Sequence, residues 1–161
     1  MKKIHRLIFF FFIYSCLFFP SCDFAPGSYP YAERYILNTN EKDLITAIDS
    51  FKKSNPKYNV PQSVGLQDGR GNADDYWYHI YFYYPEENQI VYTWVRLEEK
   101  SKTAFALVSI NDGLALGKWK EINKGFSNAE NAEQKKKFED RILKKVKVIL
   151  LLNNIIVVPD K

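Results

Sequence analysis

Hydrophobic positions along this chain recur with two different periods. Between residues 40 and 54, Leu44, Ile45, Ile48 and Phe51 fall on one side at helical spacing while Lys42, Asp49, Lys52 and Lys53 fall on the other. That pattern predicts an amphipathic helix. Thr39 or Asn40 supplies its N-cap, Glu41 and Asp43 suit the positive end of its dipole, and Asn55-Pro56 stops it. The period then shortens to two. Residues 77–84, 90–97, 103–110 and 114–122 are rich in aromatic and β-branched side chains and predict four strands. The joints are short, with Pro85 in the first and Asp112-Gly113 reading as a type I′ hairpin turn, so the strands form an antiparallel meander. A second helix opens at Ser127 with Glu130 in capping-box spacing, carries Phe138, Ile142, Val146 and Ile149 on one stripe, and ends at Asn153-Asn154. Residues 155–158 then form a further strand or a tail laid on the core. Residues 31–37 are too short and mixed to assign.

The order of helix, meander and helix predicts an α+β domain: a four-stranded antiparallel meander with an N-terminal and a C-terminal helix packed on one face. The other face is the informative one. Alternation puts Trp77, His79, Tyr81 and Tyr83 on one side of the first strand and Tyr78, Ile80, Phe82 and Tyr84 on the other, so neither side is polar. In the second strand Ile90, Tyr92, Trp94 and Arg96 alternate with Val91, Thr93, Val95 and Leu97. Tyr and Trp join apolar area to a hydrogen-bonding tip, which suits them to partly wet recognition surfaces. Tyr81, Tyr83, Tyr92, Trp94 and Arg96 are therefore the candidate ligand-binding residues, for a protein or a glycan. The alternative is that these rings are core, or are covered by the Gly- and Pro-containing loop at residues 59–75.

The N-terminus has its own logic. Lys2, Lys3 and Arg6 precede a nearly unbroken Phe, Ile and Leu run at residues 7–19, and Pro20-Ser21-Cys22 closes it. This run is short for a membrane span and has the layout of an export signal. The segment resembles that of bacterial lipoproteins, with Ser21 in the small position before the Cys. The resemblance covers the first two dozen residues, and implies that residues 1–21 are a signal peptide and that Cys22 is acylated and held at a membrane outside the cytoplasm. Without acylation the same segment is an ordinary cleaved signal or an uncleaved anchor. Residues 22–30, with Ala25, Pro26, Gly27, Ser28 and Pro30, read as a flexible tether, and residues 31–161 as a single domain.

Signal removal changes the charge balance. The chain carries 23 Lys and Arg against 19 Asp and Glu, a formal +4; without Lys2, Lys3 and Arg6 it is +1. A nearly neutral domain lacks the basic footprint of a nucleic-acid binder. Cys16 leaves with the signal and Cys22 is consumed by lipid, so no disulfide is expected.

Chemistry-bearing residues are few. His79 is the one imidazole outside the signal, which rules out multi-histidine zinc sites, and no nucleophile-elbow motif surrounds any serine. His79 is either a packed, hydrogen-bonded strand residue or the proton carrier of a hydrolase; paired carboxylates are the other hydrolytic option. Asp68, Asn72, Asp74 and Asp75 offer oxygens to a cation or make a solvated turn, and their spacing does not match an EF-hand loop. No cofactor fingerprint is present, so no cofactor is expected. Lys135, Lys136, Lys137, Arg141, Lys144, Lys145 and Lys147 make the last helix basic on its outer side, interrupted by Glu133, Glu139 and Asp140; that face meets water or anionic lipid headgroups. The expected function is that of a membrane-anchored binding module. An envelope inhibitor or immunity-type protein and a hydrolase are the competing readings. Cells fed labelled fatty acid should label the full-length protein and not Cys22→Ser. Label persisting in Cys22→Ser would reject this sulfur as the attachment point.

Overall fold

Helix α1 (Glu41–Ser54) begins where extended Asn40 accepts the Asp43 amide on its side chain at 2.9 Å, satisfying one of the four orphan donors of the first turn. Its Leu44, Ala47, Ile48 and Phe51 are buried. It stops directly before Asn55-Pro56, because the proline ring disfavours helical backbone at the preceding residue. The computed structural model describes residues 28–156. The signal peptide at residues 1–21, Cys22 and residues 23–27 of the tether lie outside the described residues. Among those described, no helix is long and apolar enough to cross a membrane.

Strands β1 (Glu33–Leu37), β2 (Tyr78–Tyr84), β3 (Gln89–Glu99), β4 (Lys102–Asp112) and β5 (Trp119–Glu121) form one antiparallel sheet. Consecutive pairing of β2, β3, β4 and β5 is the expected meander. Two details differ from expectation. Residues 33–37 are a fifth strand, paired with β4 along Glu33↔Leu107 to Leu37↔Thr103; five residues with a mixed pattern gain their strand conformation from a partner far along the chain. The fourth strand of the meander is only Trp119–Glu121 rather than residues 114–122. Gly113 does take positive φ (+84°), but its amide donates to Asn88 O at 2.7 Å in the neighbouring β2–β3 turn instead of closing a two-residue hairpin. The chain loops out and pairs again from Trp119↔Asn111.

Ser127 and Glu130 close the capping box at the start of α2 (Asn128–Phe138). The helix then widens through a π turn at Glu139–Leu143, where the Lys144 amide donates to Glu139 O, and continues as α3 (Lys144–Ile156). Asn153-Asn154 does not end it. Asn costs a helix only tenths of a kcal/mol, roughly 0.7 or less, and neither Gly nor Pro intervenes before Pro159. Residues 155 and 156 are helical and not strand; residues 157 and 158 lie outside the described residues. The expected inner stripe also shifts. Phe138, Ile142, Leu143, Val146 and Leu150 are buried and Ile149 only partly so.

The core lies between the helices and one sheet face. Ile80, Phe82, Tyr84, Val91, Val95, Phe105, Leu107 and Ile110 meet the helical residues there. A chain of rings crosses it: Phe51 to Phe82 at 6.2 Å, Phe82 to Phe105 at 6.4 Å and Phe105 to Phe138 at 5.1 Å, the first and last edge-on, the geometry that aromatic quadrupoles favour. Ile90, Trp94, Ala104, Ala106 and Val108 are buried as well but stand outside this cluster, and alternation puts Ile90, Trp94, Ala104 and Ala106 on the opposite face. β4 is buried at every position from Thr103 to Asn111. Its extra residue, a bulge opposite Tyr92/Thr93, leaves the alternation of β3 intact.

Phe138→Ala should cost about 3–5 kcal/mol, the usual penalty of an emptied aromatic core site. Ser127→Ala, which removes only the cap, should cost about 1 kcal/mol. Denaturant unfolding of the two variants measures the difference.

Candidate functional site

The outer edge of β2 organises the site. A sheet edge presents unpaired amides and carbonyls, and here the long loop covers them. Gly69 forms a bridge with His79, N–H to O at 2.9 and 2.8 Å in the two directions. Its φ of +146° belongs to backbone that glycine adopts freely. Asp68 accepts the Tyr81 amide at 2.9 Å on one oxygen and the Lys52 ammonium on the other, and Lys52 also donates to Tyr81 O at 2.8 Å. Helix α1, loop and strand are thus tied at one place.

Beyond this seam the loop delivers a carboxylate to the histidine. Arg70 bonds Glu41 and the Asp75 carbonyl, each at 2.6 Å. Asp75 accepts the Trp77 amide at 3.0 Å on one oxygen; its other oxygen accepts the Gly71 amide at 3.0 Å and faces His79 Nε2 at 2.8 Å. Those bonds, the Trp77 amide first and His79 next, hold its carboxyl down at about 2. An ionised Asp75 accepts from Nε2–H, and Nδ1 is hydrogen-bonded to the Tyr92 hydroxyl at 2.6 Å, accepting from it in the neutral imidazole. The result is a hydrogen-bonded chain, Tyr92 to His79 to Asp75.

Tyr92 sits within an aromatic cluster on the face away from the helices. It stacks on its cross-strand partner Tyr81 with centroids 5.1 Å apart and planes 19° from parallel. Trp119 of β5 meets Tyr92 edge-on at 6.0 Å. β4 runs between them, but the residue it places opposite Tyr92 is Ser109, small enough to let the two rings meet.

Of the five residues expected to bind ligand, Tyr81 and Tyr92 come together in this cluster. Trp94, opposite His79, is buried with 2% exposure. The Arg96 guanidinium lies over Trp94 at 5.7 Å and Trp77 at 6.0 Å and is bound to Glu98, which also pairs with Arg34 at 2.8 Å. Tyr83 lies apart and donates to Asn88 in the β2–β3 turn at 2.9 Å. Sequence reasoning missed Trp119, because the hairpin before it was placed in the wrong register. It also missed the coupling of Asp75 to His79, which requires the loop to fold back along β2.

Just before the start of β2 a cavity of about 790 Å³ is lined by Glu41, Arg70, Asp74, Asp75, Arg96 and Glu98, with Ala73, Tyr76 and Leu97. It lies where β3 overruns β2: pairing with β2 begins at Tyr78↔Val95, whereas pairing with β4 extends to Glu99↔Lys102. Asp75 is shared between cavity and histidine, but His79 does not line the cavity. The oxygens of the loop do not converge on a cation: Asp68 faces Lys52 and Tyr81, Asp75 faces His79, and Asn72 accepts the Asp74 amide at 3.0 Å. Among the described residues no group of three or more His, Cys, Asp or Glu is placed to hold a metal ion.

No protein-family model matches the chain, and neither curated proteins nor solved structures gave a significant match.

Asp75 has a folded-state carboxyl lowered from 3.8 to about 2. Its contribution to stability is therefore present above about pH 4 and lost as the pH falls towards 2. Asp75→Asn should flatten the acid limb of a stability-versus-pH curve over that window, read by urea unfolding. An unchanged limb would show that the carboxylate is not held as described.

Proposed function

We propose that this protein is a lipid-anchored envelope protein that works by binding, and that the sheet face away from the helices is its recognition surface. The observation that carries the reading is the cluster of Tyr81, Tyr92 and Trp119, drawn from β2, β3 and β5 and held by the Asp75–His79–Tyr92 chain. Half-buried rings with fixed orientation lose little side-chain freedom on contact, so their apolar area is offered at small entropic cost. Flat ring faces suit the apolar side of a sugar ring or the side chains of a protein partner. An envelope inhibitor would use the same surface against an enzyme. The anchor at Cys22 keeps the domain beside the membrane, and residues 23–30 give it reach.

Proton-transfer chemistry is the second reading. It is favoured by the same chain, since an imidazole held by an ionised carboxylate makes Tyr92 a better proton donor or nucleophile.

The two readings part at Tyr92. Under the binding reading, Tyr81→Ala and Tyr92→Ala should each lose the envelope partner recovered with the wild-type protein, Tyr92→Phe should retain most of it, and Lys53→Ala, exposed on α1 at the helical side of the sheet, should behave as wild type. A partner set unchanged in Tyr81→Ala and Tyr92→Ala rejects the surface. Turnover abolished in Tyr92→Phe with binding intact would favour the chemical reading instead.

A further inference from the structure

The basic outer side of the C-terminal helices is largely neutralised from within. Lys135 pairs with Glu33 at 3.1 Å, Lys137 with Glu133 at 2.7 Å, Arg141 with Glu87 through a two-pronged contact at 2.7 and 2.8 Å, and Lys144 with Asp140. These residues do not form a free basic field. Lys145 and Lys147 on α3 are different. Neither has an ion-pair partner among the described residues, both are exposed, and no acidic residue follows Asp140 before Asp160.

The same helix exposes apolar surface. Val146 and Leu150 point into the core, whereas Val148, Leu151 and Leu152 are 53%, 64% and 52% exposed. At 3.6 residues per turn, Lys144, Val148, Leu151 and Leu152 lie within one outward stripe, flanked on one side by Lys147 and on the other by Lys145, whose ammonium lies over the Tyr58 and Phe51 rings at 5.7 and 6.0 Å. The stripe is graded, lysines on the first turn and aliphatic side chains on the next two. The sequence stays uncharged through Ile155, Ile156, Val157 and Val158.

We infer that α3 docks on an anionic lipid bilayer, with Val148, Leu151 and Leu152 entering the headgroup boundary and Lys145 and Lys147 bound to lipid phosphates. An apolar stripe alone would fit a second copy of the chain equally well. The lysines decide, because α3 of a second copy offers no carboxylate from Lys144 to Ile156 to meet them. A surface carrying fixed negative charge over a hydrocarbon layer complements both ends of the gradient. The contact does not need the acyl group at Cys22, so it stands or falls separately from the anchor.

The test uses the full chain with Cys16→Ser and Cys22→Ser, carrying an environment-sensitive fluorophore at Leu152→Cys, or at Ser101→Cys in the β3–β4 turn as the control. Vesicles containing phosphatidylglycerol should shift the emission at position 152 to the blue; phosphatidylcholine vesicles should not, and position 101 should stay unshifted. Lys145→Ala with Lys147→Ala should remove the shift, as should Leu151→Ser, and since these side chains are exposed, circular dichroism should show the variants folded. Three results would overturn the inference: an equal shift on neutral vesicles, a vesicle-independent shift that grows with protein concentration, or a probe that stays silent on anionic vesicles, whether or not the chain is bound to them. Fatty-acid labelling of unaltered Cys22 is a separate readout, so loss of one reading leaves the other measurable.

Discussion

An edge strand must have its backbone paired, and in this protein the group that pairs β2 also builds the site. Asp68 and Gly69 take the positions that a neighbouring strand would fill, and Lys52 fixes Asp68 from below. Lys52 is only 13% exposed, so its charge is tolerated because Asp68 and the Tyr81 carbonyl share it. Removing the lysine would leave a carboxylate desolvated against the sheet, and removing the carboxylate would strand a buried ammonium. With that seam in place the loop has only a few residues in which to reverse before Tyr78. The reversal is what sets Asp75 under His79. Edge protection and the orientation of Tyr92 are thus two consequences of one arrangement.

A sheet carrying large apolar side chains on both faces must bury both or use one. The helices account for Ile80, Phe82 and Tyr84. On the reverse side the composition changes in a telling way: β2 and β3 supply large rings, while β4 supplies Ala104, Ala106 and Ser109. Small residues in the central strand leave room for rings from either flank to lean over it. Trp94 is buried opposite Ala106, and Tyr92 reaches Trp119 across Ser109. A uniformly large central strand would have held these rings upright and apart. The stacked geometry of Tyr81 and Tyr92 therefore depends as much on β4 as on the tyrosines.

Local signals were legible in the sequence. Asn40 and the Ser127–Glu130 pair cap their helices as their side-chain chemistry dictates, and the alternation that separates Tyr81 and Tyr92 from Ile80 and Phe82 is the alternation of the folded sheet. Both report interactions made within a few residues. What could not be read was set at long range. β1 owes its conformation to β4, and the displaced start of β5 follows from a hydrogen bond between Gly113 and the preceding hairpin. Of the candidate site, the sequence put Tyr81 and Tyr92 on one face; it offered nothing to join Asp75 to His79, because the irregular backbone from Asp75 to Trp77 carries no periodicity from which a contact can be inferred.

The π turn shows how a small backbone choice decides which surface a helix offers. In regular α-helix, residues spaced by four drift steadily around the axis, so Phe138, Ile142, Val146 and Leu150 would turn progressively out of the core. A wider turn at Glu139–Leu143 offsets part of that drift, and all four are buried, with Leu143 added. The correction has a second effect. α3 carries more aliphatic residues than one stripe can hold, and once Val146 and Leu150 are locked inward, Val148, Leu151 and Leu152 have no route to the core. Helices that meet only water place polar residues there. Here the surplus lies outward beside Lys147, which has no ion-pair partner among the described residues, and a surface that is both apolar and negatively charged would match that arrangement.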